Sequence, residues 1–117
     1  MKKIYHLSTC DTCKRILNEL QPLDGFLFQD IKNEAITKIQ LEEIRQMTGS
    51  YEALFSKRAR LYKERGLKDK KLSENDFKSL ILEHYTFLNR PVIIVKDQIF
   101  IGNNKKTIAV AKEAIHG

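Results

Sequence analysis

The chain has 117 residues, of which 42% are hydrophobic and 31% charged. This is the composition of one soluble globular domain and excludes a disordered or membrane-embedded chain. A formal net charge of +6, with much of the excess between Lys57 and Lys71, points to an anionic partner. No helix-turn-helix, zinc-finger or aromatic RNA-binding motif accompanies that charge, so direct nucleic-acid binding is not expected.

The N-terminus carries Lys2 and Lys3 but then His6, Ser8 and Thr9, not an apolar run with a small-residue cleavage site. A cytoplasmic location without membrane association is therefore expected. Lys3 to Leu7 reads as a short strand bounded by Ser8-Thr9, and a helix is predicted from about Thr12 to Leu20, broken by Pro22 and Gly25. The two cysteines of the protein, Cys10 and Cys13, lie at this junction. The unsatisfied N–H groups and positive dipole end of a helix stabilise a thiolate, and an i, i+3 offset keeps the second sulfur within reach of the first. Cys10, followed by Asp11 and Thr12, is the predicted nucleophile, with Cys13 as resolving thiol and Thr12 in the turn that supports the thiolate. Cys13 also reads as a core thiol, because Cys13, Ile16, Leu17 and Leu20 share one helix face. Half of a zinc site is the third reading, but His6, His84 and His116 form no second ligand pair at short spacing, so no metal is expected.

Phe26 to Ile31 is aromatic and apolar and reads as a second strand, giving a βαβ unit with parallel strands. From Thr37 the period becomes helical. Thr37-x-x-Gln40 forms a capping box, Ile36 and Leu41 a hydrophobic staple, Leu41, Ile44 and Met47 one face, and Gly49 the stop. A short helical turn at Tyr51–Phe55, the basic run Lys57–Arg65 with its Gly66 stop, and a helix capped by Ser73 and Asp76 follow. The face of that helix is Phe77, Leu80, Ile81 and His84. Val92–Val95 is a buried strand, Asp97-Gln98 the expected turn, Ile99–Ile101 the returning strand, and Lys105–Ile115 a closing helix with Ile108, Ala111 and Ile115 inside. The order β-α-β, helices, β-β-α is the layout of an α/β thioredoxin-like (glutaredoxin-like) fold. One domain over residues 1–117 is expected, with a mixed four-stranded sheet and a helical insertion at about 35–86.

Tyr5-His6 precede Cys10 at a fixed spacing, Asn89-Arg90-Pro91-Val92-Ile93-Ile94 sets Arg-Pro before a buried strand, and Gly102 follows the last strand. In these features, and along essentially its whole length, the chain resembles the glutaredoxin-linked arsenate reductases and their Spx-type relatives. The resemblance implies that Arg58 and Arg90 face the cysteine loop, where a guanidinium binds an oxyanion or a partner carboxylate with two parallel bonds and lowers a thiol's pKa. Arg58 has a second reading, a solvated member of a basic helix. The resemblance also implies a cis Pro91, and a His6 that supports the thiolate; His6 reads equally as a half-buried strand histidine satisfied by backbone. No bound cofactor is implied, and glutathione with glutaredoxin, or thioredoxin, would be the electron donor. Two departures stand out. Reductases of the plasmid-borne type carry Cys-Gly-Thr-Ser where this chain has Cys10-Asp-Thr-Cys13, so a resolving thiol is built in. Those enzymes place a third arginine just after the last strand, where this chain has Asn103, Asn104, Lys105 and Lys106. The expected function is therefore that of a thiol-dependent oxidoreductase, with arsenate as an open substrate. The alternative is a Spx-type regulator that binds RNA polymerase and uses the disulfide as a switch.

Overall fold

The computed structural model describes all 117 residues, and the chain divides into two compact units, Met1–Glu34 with Arg90–Gly117, and Ala35–Asn89. In the first unit, β1 (Lys2–His6), α1 (Asp11–Glu19), β2 (Leu27–Asp30), β3 (Val92–Val95), β4 (Gln98–Ile101) and α5 (Lys105–His116) build a sheet of order β2-β1-β3-β4 with two helices. β1 runs parallel to β2, with Ile4 opposite Phe28 and His6 opposite Asp30. It runs antiparallel to β3, which pairs antiparallel with β4. This is the mixed four-stranded thioredoxin-like sheet expected from the order of elements.

The core of this unit gathers Ile4, Ile93 and Val95 from the sheet, Ile16 and Leu20 from α1 and its end, Leu23 and Phe26 from the loop after it, and Ile108 and Ala111 from α5. A nine-residue helix such as α1 is marginal alone. Burying a side chain of the size of Ile16 contributes about 1.5–3 kcal/mol, several times what helix propensity distinguishes per residue, so packing holds α1 in place. β3 reads Val-Ile-Ile-Val without alternation because all four residues are buried.

The β3–β4 turn falls one residue earlier than expected. Val95 pairs with Gln98, leaving Lys96-Asp97 as the two-residue loop, and Lys96 takes a left-handed φ of 58°. Tight hairpin loops need such a conformation to match the twist of the strands, and the polar Gln98 is an exposed strand residue instead of a turn residue.

The second unit contains α2 (Lys38–Thr48), α3 (Arg60–Glu64), α4 (Glu74–Glu83) and three single 3₁₀ turns. Both capping boxes form, Thr37 with Gln40 and Ser73 with Asp76, and Gly49 closes α2 in the left-handed conformation. Phe55 lies at the centre of an aromatic cluster, with ring centroids 4.9 Å from Phe77 and 5.3 Å from Phe87. Residues Leu54–Ser56 and Phe87–Asn89 are tied antiparallel: Ser56 N–H donates to Phe87 at 2.8 Å, and Asn89 N–H donates to Leu54 at 2.8 Å. Met47 is 36% exposed, off the buried stripe of Leu41 and Ile44. His84 does not extend the face of α4. Its backbone is extended, and its Nδ1 accepts the Thr86 N–H at 3.0 Å, so it ends one helix and caps the next turn. The basic run is helical only over five residues, with Lys57 and Arg58 in the turn before it. No helix is long and apolar enough to cross a membrane.

Candidate thiol site

β1 ends at His6, and the chain then turns through Leu7–Cys10, closed by a hydrogen bond from Cys10 N–H to the Leu7 carbonyl at 3.0 Å. Cys10 takes the N-cap position of α1 with an extended backbone, and its carbonyl accepts the Lys14 N–H at 3.1 Å, the first bond of the helix. A sulfur at this place is surrounded by N–H groups that no upstream carbonyl can satisfy. The neutral thiol makes no formed cap bond. The thiolate is favoured. Partial burial raises the Cys10 pKa, but the Cys13 N–H, the Cys13 thiol, the Arg90 charge and the Thr12 N–H together outweigh it and bring it below the ordinary 9.0.

Cys13 is treated in the opposite way. Its side chain is almost wholly buried, and that burial, reinforced by the charge and thiol of Cys10 against the Leu7 amide and Arg90, pushes its pKa up to about 11. One sulfur is thus poised to ionise and the other to keep its proton. Both thiols are free.

Arg90 begins the return of the chain to the first unit and acts electrostatically on both sulfurs. It precedes Pro91 across a cis peptide, and the Pro91 carbonyl accepts the Gly102 N–H at 3.0 Å. The structure therefore brings Cys10, Thr12, Cys13 and Arg90 together at the opening of α1, with the cis Pro91 next in the chain. His6 packs its ring edge-on against Phe28, with centroids 6.0 Å apart, instead of hydrogen-bonding a cysteine. Arg58 belongs to the second unit, where it is exposed. No group of three or more His, Cys, Asp or Glu side chains gathers as a set of metal ligands.

Sequence reasoning missed Asp30. Its Oδ1 accepts the Ser8 N–H at 3.1 Å across 22 residues of chain, and the Lys32 N–H at 3.2 Å. Its Oδ2 accepts from Asn33 Nδ2 at 2.6 Å. The available signal was an Asp at a strand end followed by Lys32-Asn33, a pattern in which the carboxylate closes a turn on the backbone just ahead. A second cis bond, Gln21–Pro22, was also not anticipated.

Comparison with known proteins agrees with this geometry. Residues 5–111 match the ArsC family. The chain is 26% identical over 108 residues to the global transcriptional regulator Spx 2 of Bacillus cereus, covering 90% of this chain and 82% of that one. The arsenate reductase from Vibrio cholerae superposes with a TM-score of 0.76 at 21% identity, covering 93% of this chain and 95% of the other. An arsenate reductase (ArsC) related protein from Brucella melitensis gives a TM-score of 0.69 at 20% identity, covering 93% and 92%. With its thiol loop, its cis Arg90–Pro91 and a family match over nearly its full length, the chain belongs to the ArsC family.

Proposed function

We propose that the protein is a thiol–disulfide oxidoreductase in which Cys10 attacks and Cys13 resolves. The observation that supports this reading is the opposite handling of the two sulfurs, a lowered pKa at the helix N-cap and one near 11 three residues later. The Cys10 thiolate attacks one sulfur of a substrate disulfide. That S–S bond breaks, a mixed disulfide forms on Cys10, and the departing thiolate takes up a proton. Cys13 then loses its proton and attacks Cys10 Sγ, so the second substrate thiol leaves and a Cys10–Cys13 disulfide remains. Two electrons pass from the cysteine pair to the substrate, and glutathione with glutaredoxin, or thioredoxin, returns them. These donors place the reaction in a reducing compartment such as the cytoplasm.

Roles follow from placement. Thr12 and Cys13 supply N–H groups to the thiolate, and Arg90 supplies charge to it and to an anionic group on the incoming partner. His6 packs against Phe28, and Arg58, exposed in the second unit, is open to an anionic group of a partner. Arsenate is a poor substrate in this reading. The oxyanion needs several fixed donors around the attacking sulfur, and the region after β4 offers Asn103 and flexible lysines in place of an arginine. Losing one charge-assisted donor costs about 2–4 kcal/mol of transition-state stabilisation.

The deciding experiment is turnover of a glutathione mixed-disulfide substrate coupled to NADPH through glutaredoxin and through thioredoxin. Cys10→Ser is expected to abolish it, and Cys13→Ser to stop at a trapped mixed disulfide on Cys10 seen by mass spectrometry. Unchanged turnover in Cys10→Ser refutes the reading. The similarity to a transcriptional regulator over 90% of the chain favours one alternative, a redox-responsive regulator that binds RNA polymerase. Stoichiometric, oxidation-dependent retention of polymerase by the protein, with no turnover, would establish it.

A further inference from the structure

We propose that Asp30 is a positioning residue for the thiol loop: its carboxylate holds the Ser8 N–H, and through the Leu7–Cys10 turn it fixes where the Cys10 sulfur sits. The inference rests on the reading of Cys10 as nucleophile. The turn that carries Cys10 is closed on its inner side by the bond from Cys10 N–H to the Leu7 carbonyl. Ser8 is the second residue of that turn, so its N–H faces away from the closing bond and needs an acceptor from elsewhere. Asp30 supplies it from the neighbouring strand end, where His6 and Asp30 are partners in the β1–β2 register.

The carboxylate is itself held. Its Oδ1 also accepts the Lys32 N–H, its Oδ2 takes the Asn33 amide, and the Asp30 carbonyl accepts the N–H groups of Asn33 at 3.1 Å and Glu34 at 2.8 Å. A short, rigid turn therefore presents one oxygen to Ser8. The Ser8 hydroxyl leads the contacts that keep this carboxyl near pKa 2, so the clamp stays charged at every pH where a thiol titrates. Fixing the turn fixes the direction in which the Cys10 side chain leaves it. The N–H groups of Thr12 and Cys13 stabilise a thiolate only in that direction, since such bonds weaken steeply with misalignment.

Loop position and simple charge predict opposite signs. Removing a nearby negative charge favours a thiolate, whereas loosening the loop disfavours it. The test measures the pH profile of Cys10 alkylation, read by mass mapping, in wild type, Asp30→Ala and Asp30→Asn, together with hydrogen exchange at the Ser8 amide. Asp30→Ala is expected to move the profile to higher pH and slow alkylation at pH 7 about threefold or more, with loss of Ser8 protection. Asp30→Asn keeps an oxygen for Ser8 and is expected to retain most of the wild-type rate. A profile unchanged or moved to lower pH in Asp30→Ala, or equal slowing in Ala and Asn, overturns the inference. If Asp30→Ala does not fold, a Ser8 amide in wild type that exchanges as fast as an exposed loop amide overturns it as well. A wild-type Cys10 that titrates as an ordinary thiol while Ser8 remains protected refutes the nucleophile and leaves the clamp.

Discussion

A thiol at the N-cap of α1 and a thiol one turn inside it differ by little in sequence and by a great deal in environment, because only the first can collect N–H groups without losing all its solvent. Arg90 adds charge to that difference, and its removal is measurable. Arg90→Met keeps much of the length and apolar stem, so the expected result is a Cys10 pKa that rises and an alkylation rate at pH 7 that falls about threefold, with Cys13 still unreactive. An unchanged rate would show that Arg90 does not act on the sulfur. Asp30 gives a second prediction at this scale. Its folded pKa, about 2, lies below its ordinary 3.8, so its contribution to stability is complete above about pH 4 and is lost as the pH falls towards 2. Carboxyl-carbon NMR should show Asp30 titrating near 2. Its titratable neighbours are Lys32, two residues along the chain, and His6, opposite it on β1.

At the level of elements, Asn104 closes off one route to testing the missing arginine. Its Oδ1 accepts the Lys106 N–H at 2.8 Å and its carbonyl accepts the Ile108 N–H at 3.0 Å, so it is the N-cap of α5. Asn104→Ala should destabilise the protein by about 1 kcal/mol in urea unfolding without altering Cys10 reactivity. An arginine added to improve arsenate turnover therefore belongs at Asn103, which is exposed and outside the helix. The elements themselves were legible because their signals are local. The Thr37 and Ser73 capping boxes, the Gly49 stop and the β-branched run of β3 each lie within a few residues of what they specify. The turn at Lys96-Asp97 was misplaced because its register is set by the pairing of Val95 with Gln98 across the hairpin. His84 was misread because a histidine at helical spacing also makes a good cap, and the chain's departure from α4 decided between the two.

For the molecule as a whole, the order of elements sufficed to specify the sheet, since a βαβ unit followed later by a hairpin leaves few ways to build four strands. The site was only half legible. Cys10 and Cys13 announce themselves by spacing, whereas the Asp30–Ser8 contact joins residues 22 apart and exists only once β1 and β2 pair. Under the proposed reaction, the unequal acidity of the two thiols also governs the pair as a two-electron couple. Above the Cys10 pKa the reduced form carries one proton to be released on oxidation, that of Cys13, and below it two. Its midpoint potential should therefore fall by about 30 mV per pH unit between the Cys10 pKa and about pH 11, and by about 59 mV per unit below the Cys10 pKa. The pH of the break in a glutathione redox titration then reads the acidity of Cys10 from equilibrium alone, without any alkylating agent.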